Sequence, residues 1–463
     1  MMLRDPRRLQ QLIAEYGRMR ALDGYTPQSR GQRLNGLVAD MLMAWGINAN
    51  ADLRSHGEID VAFELAGRHF VVEAKWGSTR TDTGAVAKLQ KRLRQRLGGT
   101  VGLIISIAGF TPKALADLKD GEQLMVLCLM RRHLEAMLAG FIPPEELIGE
   151  LVKKASRRGI GFTEIEDLFE RPYHSEMAPR FEHPPEIDQL IVESVSNFSA
   201  EVVVSALPYG QSGVAELSPG HLLLTTTEGV FQVALNDQAV SPFLNIPNCS
   251  RNPLVTPDGS VYVVRRAGVA RITDGRLEIV AGGLPGNVCL SRGSANTVWA
   301  FSNGSPQVGS SSAPPSAVRI GDGLGSQTMF PVDYPPAEAH VAANVDDRTM
   351  LICGVAGITL ISPADRREIV SARNNPLTNP GGLTRLAADS FLIACDSVEL
   401  WELTLTDGEL RKVAKLKLNG SGGELTTSGE GGGYLSCCYT DKSRTTRGVV
   451  VRWVYPCAIA NPA

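Results

Sequence analysis

The stretch "GEIDVAFELAGRHFVVEAKW", residues 57–76, decides the fold of the N-terminal part of the chain. It contains two apolar runs on either side of Ala66-Gly67, a dipeptide suited to a tight turn, and so predicts a β-hairpin. The second run places Glu73 and Lys75 where apolar residues are expected to continue. Because side chains alternate along a strand, both groups lie on one face of the predicted sheet.

A two-residue turn also fixes which residues face each other across the hairpin. It pairs Asp60 with Glu73, and Glu58 with Lys75. Two carboxylates directly opposite each other repel and destabilise a sheet. A divalent cation between them removes this conflict, since Mg²⁺ is typically held by one or two carboxylates and waters. The ammonium of Lys75 would reach the same point, where it can orient an attacking water and balance charge on a scissile phosphate.

The hairpin also has a plainer interpretation, in which it is half exposed and carries only a surface ion pair between Glu58 and Lys75. Three features favour the metal site. The strand is otherwise apolar, Trp76 follows at once, and the run "TVGLIISIAG", residues 100–109, predicts a strand buried on both faces. The hairpin therefore belongs to the centre of a sheet.

The composition narrows the class of protein. With 463 residues, 43% of them hydrophobic and 21% charged, the chain predicts two or three folded domains rather than disorder. A net charge of −3 gives no global positive field, so any surface for nucleic acid must be local. The eight cysteines form no Cys-x-x-Cys pair, which argues against zinc. Without a signal-peptide pattern or an apolar run that could span a membrane, we expect a cytoplasmic protein and no membrane partner.

The chain divides into regions of different pattern. Residues 1–24 predict a basic helix, and residues 25–169 alternate helical and strand patterns, as an α/β domain does. Residues 170–190 are polar and rich in proline, which predicts a linker. Residues 191–463 lose helical periodicity and contain short, repeated β patterns, which predict an all-β domain.

The repeats in the C-terminal region predict a six-bladed β-propeller. Each unit has an apolar strand, a Gly or Asp turn and a second apolar strand, and successive units start about 35 to 55 residues apart, the spacing of propeller blades. The units start at Val214, Pro253, Val288, Val341, Leu383 and Leu425. A pair of β-sandwiches remains the alternative. The region shows no catalytic constellation, so we expect a sensor or targeting module for an unidentified ligand or protein.

The ordered segments of the N-terminal region resemble the PD-(D/E)XK nuclease superfamily, and within it Mrr-type restriction endonuclease domains. The resemblance is carried by "RGQRLNGLVADMLMAWGI", the hairpin quoted above and "GLIISIAGFTPKAL". It implies the restriction-endonuclease-like fold, with Asp60 and Glu73 as metal ligands and Lys75 as the catalytic lysine. It also implies cleavage of DNA with Mg²⁺, or Mn²⁺ as a substitute, in prokaryotic restriction or anti-phage defence. One active site cuts one strand, so duplex cleavage requires a homodimer or successive nicks.

The sequence departs from this family in two places. Ile59 stands where a proline often precedes the aspartate, and Asn35 stands where many members carry a helix glutamate. Asn35 can still hold a water of the metal, and Glu58 is an extra carboxylate that can compensate for the lost charge. These departures leave a second hypothesis open, a catalytically inactive protein that binds nucleic acid and uses the propeller for interactions.

A basic helix, "GAVAKLQKRLRQRLGG", follows the Glu-x-Lys strand. We expect Leu89, Leu93 and Leu97 to pack on the domain and the basic residues to contact DNA phosphates, which supply most non-specific affinity. The predicted DNA-binding residues are Lys88, Lys91, Arg92, Arg94 and Arg96. Gln90 is a supporting residue near the metal. A solvated helix face remains the alternative for this surface. The N-terminal segment carries five further arginines: Arg4, Arg7, Arg8, Arg18 and Arg20. They either form a second phosphate-binding edge or keep the first helix soluble.

Overall fold

The structure of the chain is a computed structural model. It describes residues 4–53, 59–118, 124–169, 190–207, 213–284, 286–293, 297–304, 315–332, 339–362, 365–418, 424–428, 432–440 and 446–455.

The N-terminal region is a mixed α/β domain. Its elements are α1 (Pro6–Ala21), α2 (Pro27–Ala44), β1 (Ala49–Leu53), β2 (Ile59–Leu65), β3 (Arg68–Lys75), α3 (Thr83–Arg94), β4 (Val101–Ser106), α4 (Pro112–Asp117), β5 (Val126–Met130), α5 (Arg131–Leu138) and α6 (Pro144–Arg158). The sheet has the order β1-β2-β3-β4-β5, with β1 to β3 antiparallel and β3 to β5 parallel. The carboxylate of Asp5 caps α1 by accepting from the N–H of Arg8, with Pro6 at the first helical position.

The hairpin between β2 and β3 has the predicted register. Ala66 and Gly67 both have positive φ angles, +50° and +72°, as a tight turn with right-handed twist requires. From this turn the ladder runs from the pair Leu65–Arg68 to the pair Val61–Val72.

Strand β3 separates two hydrophobic cores. Phe70 and Val72 lie in the core that α1 and α2 cover, whereas Val71 packs with Leu89 of α3 in the second core. The prediction that Leu97 continues the apolar face of α3 is wrong. The helix ends at Arg94, and the side chain of Leu97, beyond it, is 82% exposed.

The C-terminal region is a six-bladed β-propeller, as predicted. Its strands are β6 (Ile191–Ser194), β7 (Ser199–Leu207), β8 (Gly213–Ser218), β9 (His221–Thr225), β10 (Val230–Ala234), β11 (Val240–Leu244), β12 (Ser250–Val255), β13 (Val261–Arg265), β14 (Gly268–Thr273), β15 (Arg276–Ala281), β16 (Val288–Arg292), β17 (Val298–Ser302), β18 (Ser316–Arg319), β19 (Thr328–Pro331), β20 (Ala339–Asn344), β21 (Met350–Gly354), β22 (Gly357–Ile361), β23 (Arg366–Ser371), β24 (Gly382–Arg385), β25 (Ser390–Cys395), β26 (Glu399–Thr404), β27 (Leu410–Leu416), β28 (Glu424–Thr427), β29 (Gly432–Thr440) and β30 (Thr446–Val454).

The inner strands of the blades form a closed ring, because β8, β12, β16, β20, β24 and β28 each contact the next and β28 contacts β8. All six repeat starts predicted from the sequence fall on these inner strands. The first two strands of the region complete the last two blades: β7 pairs with β30, and β6 pairs with β27. This closure rules out the pair of β-sandwiches.

One hydrophobic core joins the two domains. Leu138 and Phe141, at and after the end of α5, share it with Leu277 of β15, and α5 contacts β15. The backbones approach so closely that a Cβ atom on Gly282 would lie 2.3 Å from the Cα of Ala139. Only glycine fits there. The two domains are therefore packed against each other.

The predicted linker stays a prediction, because residues 170–189 lie outside the described residues. Within the described ranges, no helix is long and apolar enough to cross a membrane.

Candidate active site

Glu73 lies at the centre of a group of charged side chains on one face of the sheet. Its side chain is only 8% exposed, and both of its carboxylate oxygens have cationic partners. Oε1 accepts from Nζ of Lys75 at 2.5 Å, and Oε2 accepts from Nη1 of Arg92 at 2.6 Å. Lys75 is 41% exposed and Arg92 19% exposed. A buried carboxylate is thus held between one solvent-accessible cation and one half-buried cation.

Asp60 lies on the neighbouring strand, one position beyond the last regular pair, Val61–Val72. Its Oδ2 accepts from the backbone N–H of Ala74 at 2.8 Å, which fixes the carboxylate beside β3. Burial raises the pKa of Asp60, and the negative charge of Glu73 adds to this effect. The two carboxylates therefore lie close enough to interact, as the hairpin register predicts.

Lys75 and Arg92 also lie close enough to Asp60 to affect its carboxylate. The hydrogen bond from Ala74 and the positive charges of Lys75 and Arg92 each lower the pKa of Asp60. The structure therefore brings the three predicted catalytic residues together and adds Arg92 to them. Glu58, the possible extra metal ligand, lies outside the described residues.

The donor set fits a hard divalent cation. Asp60 and Glu73 offer carboxylate oxygens from adjacent strands on one face, which is the number of protein ligands that Mg²⁺ commonly takes, with waters or substrate oxygens completing its shell. Among the described residues, no cluster of three or more His, Cys, Asp or Glu side chains that could hold a metal is found. A cation here would depend on these two carboxylates and on oxygens from outside the chain.

The two supporting residues lie in different surroundings. The side-chain amide of Asn35, on α2, donates to Oδ1 of Asp52 at 3.1 Å. Asp52 belongs to the edge strand β1. The pairs Ala51–Val61 and Leu53–Ile59 on either side of it place Asp52 beside Asp60. The φ angle of Asp52 is +54°, and the regular pairing of β1 with β2 is interrupted at this residue. Asn35 is thus anchored at the sheet edge. Gln90 is half-buried on α3. Both roles stay predictions.

The basic helix presents two kinds of cation. Lys88, Lys91 and Arg94 are exposed on α3, while Arg92 and Arg96 are half-buried. Sequence reasoning placed Arg92 among the phosphate contacts and missed its contact with Glu73. The signal that could have identified it is its place between Leu89 and Leu93, because a residue flanking the apolar stripe of a crossover helix lies near the sheet.

Two of the basic residues of the first helix, Arg8 and Arg20, donate hydrogen bonds to distant parts of the described chain. Arg8 donates to the carboxylate of Asp40 at 2.9 Å, and Arg20 donates to the carbonyl of Leu324 in the propeller at 3.1 Å. Arg20 thereby helps to join the two domains. The second phosphate-binding edge stays a prediction.

The fold and the site together define a restriction-endonuclease-like domain joined to a six-bladed propeller. Residues 28–137 match the Mrr_cat family, a restriction endonuclease family, which confirms the resemblance seen in the sequence. No curated protein matches the chain.

The solved structures that match the chain share little of its sequence. A protein of unknown function from Bacteroides thetaiotaomicron VPI-5482 is 12% identical over 56% of this chain and 76% of that chain, with a TM-score of 0.39. The gluconolactonase XC5397 from Xanthomonas campestris is 15% identical over 59% of this chain and 95% of that chain, with a TM-score of 0.41. The WD40 propeller domain of Doa1 is 11% identical over 54% of this chain and 96% of that chain, with a TM-score of 0.37. None of these similarities bears on function.

Proposed function

We propose that the N-terminal domain is a metal-dependent endonuclease that hydrolyses phosphodiester bonds in DNA, with Mg²⁺ as its cofactor and Mn²⁺ as a substitute. The observation that carries this proposal is the convergence of Asp60, Glu73 and Lys75 in a domain of a restriction endonuclease family. We further propose a role in prokaryotic restriction or anti-phage defence, in which the propeller is a sensor or targeting module.

In this proposal Asp60 and Glu73 hold the cation. When bound, it polarises the phosphate and lowers the pKa of a water. Lys75 has a different task. Its ammonium has three donors on a flexible stem, and 41% of its side chain is exposed, so it can turn from Glu73 to an incoming phosphate and water. There it orients the water and offsets the negative charge that develops on the phosphate.

The role proposed for Arg92 is to neutralise Glu73 in the absence of metal and then to contact the DNA phosphate. Because Arg92 occupies Oε2 of Glu73, it competes with a cation for that oxygen. Arg92→Gln is therefore expected to bind Mn²⁺ about tenfold more tightly than the wild type, measured by calorimetric titration without DNA. Lys88→Gln, an exposed change on the same helix, is the control and should bind as the wild type does. Unchanged or weaker Mn²⁺ affinity in Arg92→Gln would contradict this role.

The exposed cations of α3 are proposed to contact the phosphate backbone. Replacing both Lys88 and Lys91 with glutamine should weaken binding to any duplex, because it removes contacts to the phosphates. Each lost contact should also make the negative slope of log affinity against log salt shallower by about 0.9. The measurement is fluorescence anisotropy of labelled DNA with Ca²⁺ at several salt concentrations. The matched control replaces Arg157 and Arg158, which are exposed in the last turn of α6, with glutamine as well. An equal loss in both double variants would show that only net charge matters.

One observation favours a second candidate function. Both oxygens of Glu73 are paired with cations of the chain itself, an arrangement that needs no metal. A domain kept in this state would bind nucleic acid without cleaving it. The two functions separate on a single labelled duplex: a nuclease binds it with Ca²⁺ and cuts it with Mg²⁺, whereas a binding protein leaves it intact in both. Comparing the rates of nicking and linearisation of a plasmid then tests whether two chains act together.

A further inference from the structure

The propeller encloses a cavity of about 820 Å³ along its axis, lined by all six inner strands. Cavities of about 300–1,000 Å³ are typical of small-molecule sites. The polar groups of this cavity therefore indicate what kind of molecule it suits.

Charged and titratable groups gather at the end of the channel where the inner strands begin. Four strands contribute one each: Arg251 of β12, Cys289 of β16, His340 of β20 and Glu424 of β28. Arg251 interacts electrostatically with the other three. The remaining two strands begin with Gly213 and Gly382, which add no side chain to the space. Four of the six inner strands thus bring a charged or titratable side chain to this end of the channel.

The backbone at Arg251 is held in a conformation unusual for a residue with a side chain. Its φ angle is +60°, where the pairing of β12 with β13 is irregular. Thr225 donates to its carbonyl at 2.7 Å, and the side chain of Asn252 accepts from the backbone of β8 at 2.7 Å and donates to that of β28 at 2.8 Å. Hydrogen bonds with the blades of β8 and β28 thus maintain a strained position, a feature that often accompanies binding sites.

The guanidinium of Arg251 is only partly compensated. Its side chain is 15% exposed, and among the described residues it pairs with Glu424, with 3.5 Å between Nη1 and Oε1. This distance exceeds that of a direct N–H···O bond. Burial raises the pKa of Glu424 to about 7, so near neutral pH its charge offsets that of Arg251 only in part. A largely buried guanidinium that lies beyond direct hydrogen-bond distance of its carboxylate partner among the described residues favours an anionic ligand.

We propose that this end of the propeller channel binds a small molecule bearing a carboxylate or phosphate group, whose oxygens accept from the guanidinium of Arg251. The fork of arginine donors matches both groups. A ligand of this class would give the propeller the sensor role proposed above. Binding itself does not require the N-terminal domain to be a nuclease, so the two proposals can fail separately.

The test is thermal unfolding of the full-length protein with sodium phosphate or sodium malonate, against sodium chloride at matched ionic strength. Either anion should raise the Tm of the wild type by about 2 °C or more when well above its Kd. Arg251→Gln should lose this rise, and Arg292→Gln, an exposed change at the other end of the channel, should keep it. A rise with phosphate alone identifies a phosphate ligand, and one with malonate alone identifies a carboxylate ligand.

Two results would overturn the proposal: no rise with either anion, or an equal rise in Arg251→Gln. Glu424→Gln keeps the test decisive if Arg251→Gln does not fold. Glutamine removes the negative charge that opposes an anion. Above about pH 7, phosphate or malonate should therefore raise the Tm of Glu424→Gln more than that of the wild type. No difference between Glu424→Gln and the wild type would count against the site.

The pH dependence has a defined sign. Glu424 becomes charged as the pH rises through about 7, so anion binding by the wild type should weaken over that range and that of Glu424→Gln should stay level. Three further groups must be counted with Arg251 and Glu424: His340, Cys289 and Glu216, the last on β8, which contacts both β12 and β28 and lines the same cavity. Burial lowers the pKa of His340 and raises that of Cys289, which keeps both neutral there, and Asp396 acts on His340 from the next blade. The series is measured with malonate.

Discussion

Glu73→Gln is expected to lose DNA cleavage by at least about a thousandfold while the protein remains folded. Glutamine keeps the size of the side chain but removes the charge that a divalent cation requires, and transition-state stabilisation by such a cation contributes several kcal/mol. Lys75→Ala should lose about a hundredfold to a thousandfold, because it removes one preorganised donor and leaves the carboxylates in place. Single-turnover cleavage of a labelled duplex with Mg²⁺ measures both losses.

The control for these variants lies on the same hairpin. Glu64 belongs to β2 but is exposed near the turn, so Glu64→Gln should cleave at the rate of the wild type. Circular dichroism and thermal unfolding show whether each variant is folded. If folded Glu73→Gln keeps its rate within about tenfold of the wild type, Glu73 does not hold the catalytic cation.

Arg265→Met is expected to lower the free energy of unfolding by about 3–5 kcal/mol, since removing one partner leaves a poorly compensated charge and unpaired carbonyls at a buried contact. Arg265 belongs to the propeller, and its side chain has no exposed surface. It donates to the carbonyl of Phe141 at 2.6 Å, to that of Pro247 at 2.7 Å, and to the carboxylate of Glu146. Two of these three acceptors belong to the N-terminal domain.

Arg266→Gln is the matched control for this prediction. Arg266 pairs with the same carboxylate of Glu146, at 3.8 Å, but is 41% exposed, and exposed ion pairs contribute about 0–1 kcal/mol. Urea unfolding of the full-length chain measures both variants. A loss below about 1 kcal/mol in Arg265→Met would show that the two domains do not depend on this contact.

The features that the sequence predicted correctly have local causes. The turn at Ala66-Gly67 sets the hairpin register, so the neighbouring positions of Asp60 and Glu73 follow from residues within the hairpin itself. The six inner strands were found because each blade repeats the same short pattern. In both cases the interacting residues are close in sequence or recur at a fixed spacing.

The features that the sequence did not predict depend on contacts between distant segments. Arg265 lies more than a hundred residues from Phe141, and no periodic pattern links them. The direction of Arg92 depends on how α3 lies over the sheet, which its charge does not show. Leu97 follows the apolar spacing of the helix, but the helix ends before it. The spacing of apolar residues shows which face of a helix is buried, but only for residues that belong to that helix.

The cleavage of supercoiled plasmid by wild type and Asp60→Asn tests the central claim most directly. Both proteins are compared at equal concentration with Mg²⁺, and the wild type also with EDTA. We predict nicked or linear DNA only from the wild type with Mg²⁺, because Asp60 and Glu73 together hold the cation in this account. Equal cleavage by Asp60→Asn, cleavage in EDTA, or intact plasmid in every reaction would contradict it.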